Sequence, residues 1–233
     1  MASGNADEIA RSISTFLSSK NVPPTQAWLQ NTYLPSIRLT TPVVALQKTA
    51  LFRILNADLK ASVVSSTATL LPPNITDPAV KDKQVRGPVT VQVLDVEDIG
   101  RSRWSQVEAL EAIERGETTK GREVIRVVPD ENGPESTSAP EEAKSSGPHK
   151  LQLQDASGAQ VYAMELVPVK GVGLQMLIGA KLVLKDFTVA RGMLLLEPRN
   201  VEVLGGKVEL WDKKWRDERK QRLKQKAGMR NGG

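Results

Sequence analysis

The sequence predicts an α+β protein with three parts: an N-terminal three-helix bundle, a five-stranded barrel with a long insertion between strands 1 and 2, and a basic C-terminal helix. Three observations carry this. Apolar residues within 1–62 recur at helical spacing, whereas from Val89 onward they alternate with polar ones at period two. The strand pattern then stops at Asp98 and resumes only at Lys150. The expected units are a helical bundle over 1–62, a barrel over 63–210 with its insertion at 99–149, and a basic tail over 211–233.

Composition sets the outer limits. The 233 residues are 39% hydrophobic, with a mean hydropathy of −0.30, enough for a real core and consistent with a soluble chain. No apolar run approaches the roughly 20 residues that span a bilayer. The opening "MASGNADEIARS" lacks the basic and apolar regions of a secretory signal. With no cysteine, disulfides, thiol catalysis and thiolate metal sites are excluded, and a reducing compartment is expected.

The first helix starts with Asn5 as N-cap and Glu8 three residues on, and puts Ile9, Ile13, Phe16 and Leu17 on one face. "VPPT" (22–25) ends it and lets a second helix start near Thr25, carrying Trp28 and Leu29. Thr41-Pro42 reads as a cap followed by proline at the first helical position. Val43, Leu46, Ala50 and Ile54, flanked by Leu51 and Leu55, then form a broad apolar face. Phe16 and Trp28 are assigned to the core of this bundle.

After the loop 65–80, the first strand covers 89–96. Val89, Val91, Val93 and Asp95 share one face; Thr90, Gln92, Leu94 and Val96 share the other. "KLQLQD" (150–155) and "AQVYAMELV" (159–167) form a hairpin across a turn in which Gly158 can take a positive φ. The run 169–179 connects to a fourth strand, 180–189, and 193–204 supplies the last. Pro198 makes that last run either two pieces or an edge strand. The layout is that of an oligonucleotide/oligosaccharide-binding (OB) barrel, although strand count alone does not separate it from an SH3-like barrel.

Within the insertion, 102–117 has helix formers with apolar Trp104, Val107 and Leu110 on one side. The Pro/Ser/Glu-rich stretch around 129–148 has almost nothing to bury and is expected to be disordered. Trp104 has two readings: it faces a partner, or it folds back to cap the barrel.

Charge is unevenly placed. From Trp211 on, nine Lys/Arg (Lys213, Lys214, Arg216, Arg219, Lys220, Arg222, Lys224, Lys226 and Arg230) face three carboxylates. That surplus of six exceeds the chain's net +5, so the remaining residues total −1. The tail therefore suits DNA or another acidic partner, or serves solubility alone.

Catalytic motifs are missing. No P-loop, nucleophile elbow or HExxH spacing occurs, and "KGVG" (170–173) is too short to cradle phosphate. The lone histidine, His149, ends the low-complexity stretch with no assured orienting partner. Asp95, Glu97 and Asp98 can bind magnesium in principle, but such clusters are more often solvated strand ends. Neither enzyme chemistry nor a cofactor is expected. For base stacking the strands offer only Tyr162 and Phe187, so nucleic-acid affinity is expected to be weak and to come from the tail.

The segment 163–211, and "RGMLLLEPRNVEVLGG" (191–206) above all, resembles the Rmi family, subunit one, of RecQ-mediated genome instability proteins, in its short fungal form. The helical N-terminus, Leu71-Pro72 and "QVLDVEDIGRSRWSQ" (92–106) fit as well. The resemblance implies a nuclear, non-enzymatic partner of topoisomerase III, working beside a RecQ-type helicase in double Holliday junction dissolution. It implies a barrel that docks on the topoisomerase and an insertion that reaches the enzyme's DNA gate. Arg101, Arg103, Trp104, Val107 and Leu110, with Lys181 on the barrel, become candidate partner contacts. Lys213, Lys214, Arg216, Arg219, Lys220, Arg222, Lys224 and Lys226 become candidate DNA contacts. The alternative is a stand-alone single-strand-binding OB protein.

Overall fold

The computed structural model describes residues 2–38, 40–66, 70–120, 123–126 and 147–228. Helix α1 (Ala2–Ser19) begins before Asn5, so that residue lies within the helix and not at its start. Ile9, Ile13 and Leu17 are buried as expected. Thr25 does cap the next turn, its Oγ1 accepting from Trp28 N at 3.1 Å. That second helix is not a regular one. Trp28–Tyr33 forms a widened turn that tightens to a 3-10 turn at Leu34–Ser36, where Pro35 has no N–H to continue the ladder. Trp28 and Tyr33 stack at 5.5 Å, and the Tyr33 hydroxyl donates to Leu46 O at 2.5 Å.

Helix α2 (Val43–Leu55) starts one residue late: Pro42 is extended (ψ 136°), and its carbonyl accepts from Ala45 N and Leu46 N. Pro42, not Thr41, is the cap. A further single-turn helix, α3 (Leu59–Ser62), is capped by Asp58. The three-helix expectation thus becomes two long helices, one irregular turn and one short helix around a single core.

Among the described residues the main sheet has eight strands where five were expected. They are β1 (Lys83–Val85), β2 (Val89–Asp98), β5 (His149–Asp155), β6 (Gln160–Glu165), β7 (Lys181–Leu184), β8 (Phe187–Ala190), β9 (Met193–Leu196) and β10 (Val201–Gly205). A separate hairpin, β3 (Glu117–Lys120) and β4 (Glu123–Arg126), lies in the insertion. The difference is mostly interruption. The run 180–189 breaks at Lys185-Asp186, where Asp186 takes φ 45°, and 193–204 breaks around Pro198. The order is β1-β8-β9-β6-β5-β2-β7-β10, antiparallel except for β6 with β9. As β7 and β8 are consecutive pieces of chain, the sheet closes on itself through them. The 169–179 connection plugs the barrel with Val169, Leu174, Met176 and Ile178.

Val89, Val91 and Val93 fill the barrel, but Asp95 does not follow them. A register shift against β5 between Val93 and Asp95 adds one residue to the count, so Val96 turns inward while Asp95 and Glu97 face α5, the C-terminal helix (Glu209–Lys226). Thr90 and Gln92 are buried too, because the helical unit covers that face. Gln92 Oε1 accepts from Leu59 N at 2.9 Å, and its amide nitrogen donates to Asp58 Oδ1 at 2.8 Å and Gln154 Oε1 at 3.0 Å.

His149 is not at the end of a loop: it opens β5, is buried, and its Nδ1 lies 2.6 Å from Glu165 Oε2. Beside it the two ends of the insertion meet. Ile99 N donates to Pro148 O at 3.0 Å, and a methyl group on Gly100 would lie 2.4 Å from the Gly147 Cα. Of the stretch 129–148 expected to be disordered, all but Gly147 and Pro148 lie outside the described residues.

Candidate partner interface: the insertion helix and the basic helix

Helix α4 (Arg103–Glu114) is the ordered front of the insertion, where the sequence places it. The Ser102 hydroxyl caps it by accepting from Ser105 N. Its base is fixed by Gln106, whose buried amide donates to Asp98 O at 2.9 Å and Arg101 O at 3.1 Å. Arg101 joins the same corner through Asp98 at 3.1 Å. Val107 is buried, Leu110 half-buried, and Arg103 exposed.

Trp104 points away from the barrel. It is 57% exposed, and its indole N–H donates to Glu108 Oε1 at 2.7 Å on the same helix. The expected common face of Trp104, Val107 and Leu110 therefore splits into an outward tryptophan and an inward valine. The capping alternative for Trp104 does not hold.

Lys181 is not a surface contact. It is 0% exposed, and its ammonium donates to Ala57 O and Gly179 O, both at 2.6 Å, tying the helical unit to the barrel. Burial pushes its pKa down to about 8, with nearby Asp58 acting the other way. The barrel strand β7 is covered on both faces, which is why a lysine ends inside.

The basic tail is docked as far as Gly228, and Arg230 lies outside the described residues. Its helix, α5, begins two residues before the expected boundary. Trp215, 4% exposed, enters the barrel core cluster and donates to Asp95 Oδ1 at 2.5 Å; Leu223 is buried beside α4. Asp212 holds the plug by accepting from Ile178 N at 2.8 Å and pairs with Arg216 at 2.9 Å. Arg216, Arg219 and Arg222 lie 6.0, 5.5 and 5.6 Å from the Trp215 ring centre.

Lys220, Arg222, Lys224 and Lys226 reach back to carboxylates. Lys220 pairs with Glu114 at 2.5 Å and Lys224 with Glu111 at 2.6 Å, an antiparallel register between α5 and α4. Lys226 contacts Glu97, which Lys150 also holds at 3.0 Å, and Arg222 approaches Asp95 at 3.7 Å. Partial burial raises the Glu97 carboxyl, but the hydrogen bonds from Lys226 and Lys150 outweigh it, leaving a pKa below the ordinary value. The Lys224 hydrogen bond likewise lowers Glu111. Lys213 and Lys214 remain exposed, Lys214 with Glu218 at 3.9 Å.

The sequence reading missed Asp95, Glu97, Glu111 and Glu114 as intramolecular partners. A signal was present: Trp211, Trp215 and Leu223 fall at i, i+4 and i+12, an apolar stripe among the charges. Asp95, Glu97 and Asp98, read as a strand-end cluster, are each engaged by a cation. Among the described residues no group of three His, Asp or Glu is placed to hold a metal. Of the two rings considered for base stacking, Phe187 is in the core, and only Tyr162 is exposed, with Lys150 Nζ at 5.0 Å from its centre.

Comparison with known proteins covers nearly the whole chain. Residues 71–219 match the family described as "RMI1, N-terminal OB-fold domain", and residues 16–62 match "RMI1, N-terminal helical domain". The RecQ-mediated genome instability protein 1 of Schizosaccharomyces pombe is 31% identical over 222 residues, spanning 86% of this chain and 89% of that protein. The Xenopus laevis protein of the same name is 34% identical over 141 residues, 60% of this chain but 23% of its own length.

Proposed function

Because this chain belongs to the RMI1 family, we propose that it is a non-catalytic subunit that docks on topoisomerase III and presents its insertion helix to that enzyme's DNA gate. It acts beside a RecQ-type helicase in the nucleus, promoting decatenation and double Holliday junction dissolution, with a weak DNA contact through α5.

One observation supports this beyond membership: a tryptophan held outward on a helix whose base is rigid. Gln106 and Val107 fix α4, so Trp104 and Arg103 are displayed at a defined place. Exposed Trp and Arg on a preorganised element are the residues that most often dominate an interface. A partner shifts a gate between open and closed only through different affinity for the two states, and a fixed helix end can supply that difference. The stand-alone single-strand-binding alternative is disfavoured, since burial of Phe187 leaves Tyr162 as the one exposed ring on the described barrel strands, where stacking platforms use several.

The test has two readouts on the full chain: capture by immobilised topoisomerase III, and strand passage with and without the chain. The expected outcome is stable capture, faster decatenation and slower relaxation of supercoils. Strand passage that is identical in both conditions would remove the proposal.

A further inference from the structure

We propose that α5 is an ionic strap whose cations are shared between the insertion helix and a nucleic-acid backbone, so that DNA lying along α5 unfastens α4. The inference rests on the reading that DNA meets α5, and it adds what that contact does.

The last eight residues of α5, Arg219–Lys226, carry Arg219, Lys220, Arg222, Lys224 and Lys226 and no carboxylate. Opposite it stand Asp95 and Glu97 on β2 and Glu111 and Glu114 on α4. These carboxylates occupy the places that phosphates would take. The pairs are partly exposed, a class that is individually weak and screened by salt. Fit is loose in the middle: Arg222 is 3.7 Å from Asp95, and its Nε has no acceptor.

Anchoring differs between the two helices. Trp215 and Leu223 keep α5 on the barrel whatever its lysines do. Helix α4 has a narrower footing in Gln106 and Val107, so its last turns depend on Lys220 and Lys224. A phosphate backbone that draws these ammonium groups weakens α4, and by reciprocity a fastened α4 weakens DNA binding by the same factor.

The experiment reads hydrogen exchange of the α4 amides in the full chain, with DNA binding followed by anisotropy of a labelled short duplex. The Lys220→Gln/Lys224→Gln/Lys226→Gln variant should exchange in α4 about tenfold faster with the barrel melting point nearly unchanged. Duplex added to the wild type should accelerate α4 exchange, and added to the variant should do nothing further. From the other side, Glu111→Gln/Glu114→Gln should loosen α4 and tighten DNA binding more than the equal charge change Glu197→Gln/Glu202→Gln. Exchange in α4 that ignores both variants overturns the strap. Duplex that binds while α4 exchange stays constant overturns the sharing and leaves the DNA contact standing. Absence of duplex binding overturns both.

Discussion

The barrel meets the helical unit through buried hydrogen bonds from Gln92 and Lys181, whereas α5 meets the end of α4 through ion pairs open to solvent. The two junctions have opposite tolerances. In the first, removing one partner strands a buried donor or acceptor, at about 1–3 kcal/mol each. In the second, losing one pair costs roughly 0–1 kcal/mol, and salt weakens what remains. A fixed joint on one side and an adjustable one on the other is what a subunit needs if one part must keep its shape while another responds to a ligand.

The largest expected effect breaks the contrast on purpose. Trp215 is the largest apolar anchor of α5, so Trp215→Ala should destabilise the chain by about 3–5 kcal/mol in denaturant unfolding, far above any single ion pair. A loss below that of Lys224→Gln would mean that charge alone holds α5.

Lys181→Met sharpens the contrast at the inner junction. It leaves the Ala57 and Gly179 carbonyls without their donor, an expected loss of about 1–3 kcal/mol. The loss should depend on pH. The folded chain releases the Lys181 proton near 8 and the unfolded chain near 10.5, so between those values the unfolded state binds more protons. Wild-type stability relative to Lys181→Met should therefore rise with pH across that window and be flat below it. Unfolding curves at pH 7 and pH 10 check this; a difference that shrinks on raising pH contradicts the buried ammonium.

Trp104→Ala should have the smallest effect on stability, within about 0.5 kcal/mol, because the side chain leaves no core contact behind. Stimulation of decatenation should nonetheless fall. A clearly lowered melting point with stimulation intact would break the partner reading.

Much of this was readable from alternation and punctuation. Gly158, Pro198 and Thr25 each mark what the structure builds there. Three failures share one cause, that local pattern does not see tertiary cover. Period two places Asp95 with the valines, but the bulge that turns it outward is set by pairing with β5. A lysine in a strand reads as surface, yet Lys181 has the helical unit above it and the barrel below. Charge alone decides the reading of the tail, although Trp211, Trp215 and Leu223 mark a docking stripe. Trp104 shows the converse: the sequence left its direction open, and only the packing of Val107 decided which way it faces.

The meeting of Gly100 with Gly147, under the Ile99–Pro148 hydrogen bond, makes the insertion a cassette on a closed neck. Because the barrel itself holds the two ends together, the chain between them can be lengthened, trimmed or exchanged without retuning any strand. Each doubling of a flexible length there adds only about 0.6 kcal/mol of closure entropy. The two glycines are the clasp: a side chain on either would drive backbone into backbone and spread the neck. A sequence grafted between them inherits a finished scaffold, so the length of the insertion and the stability of the barrel become separable problems.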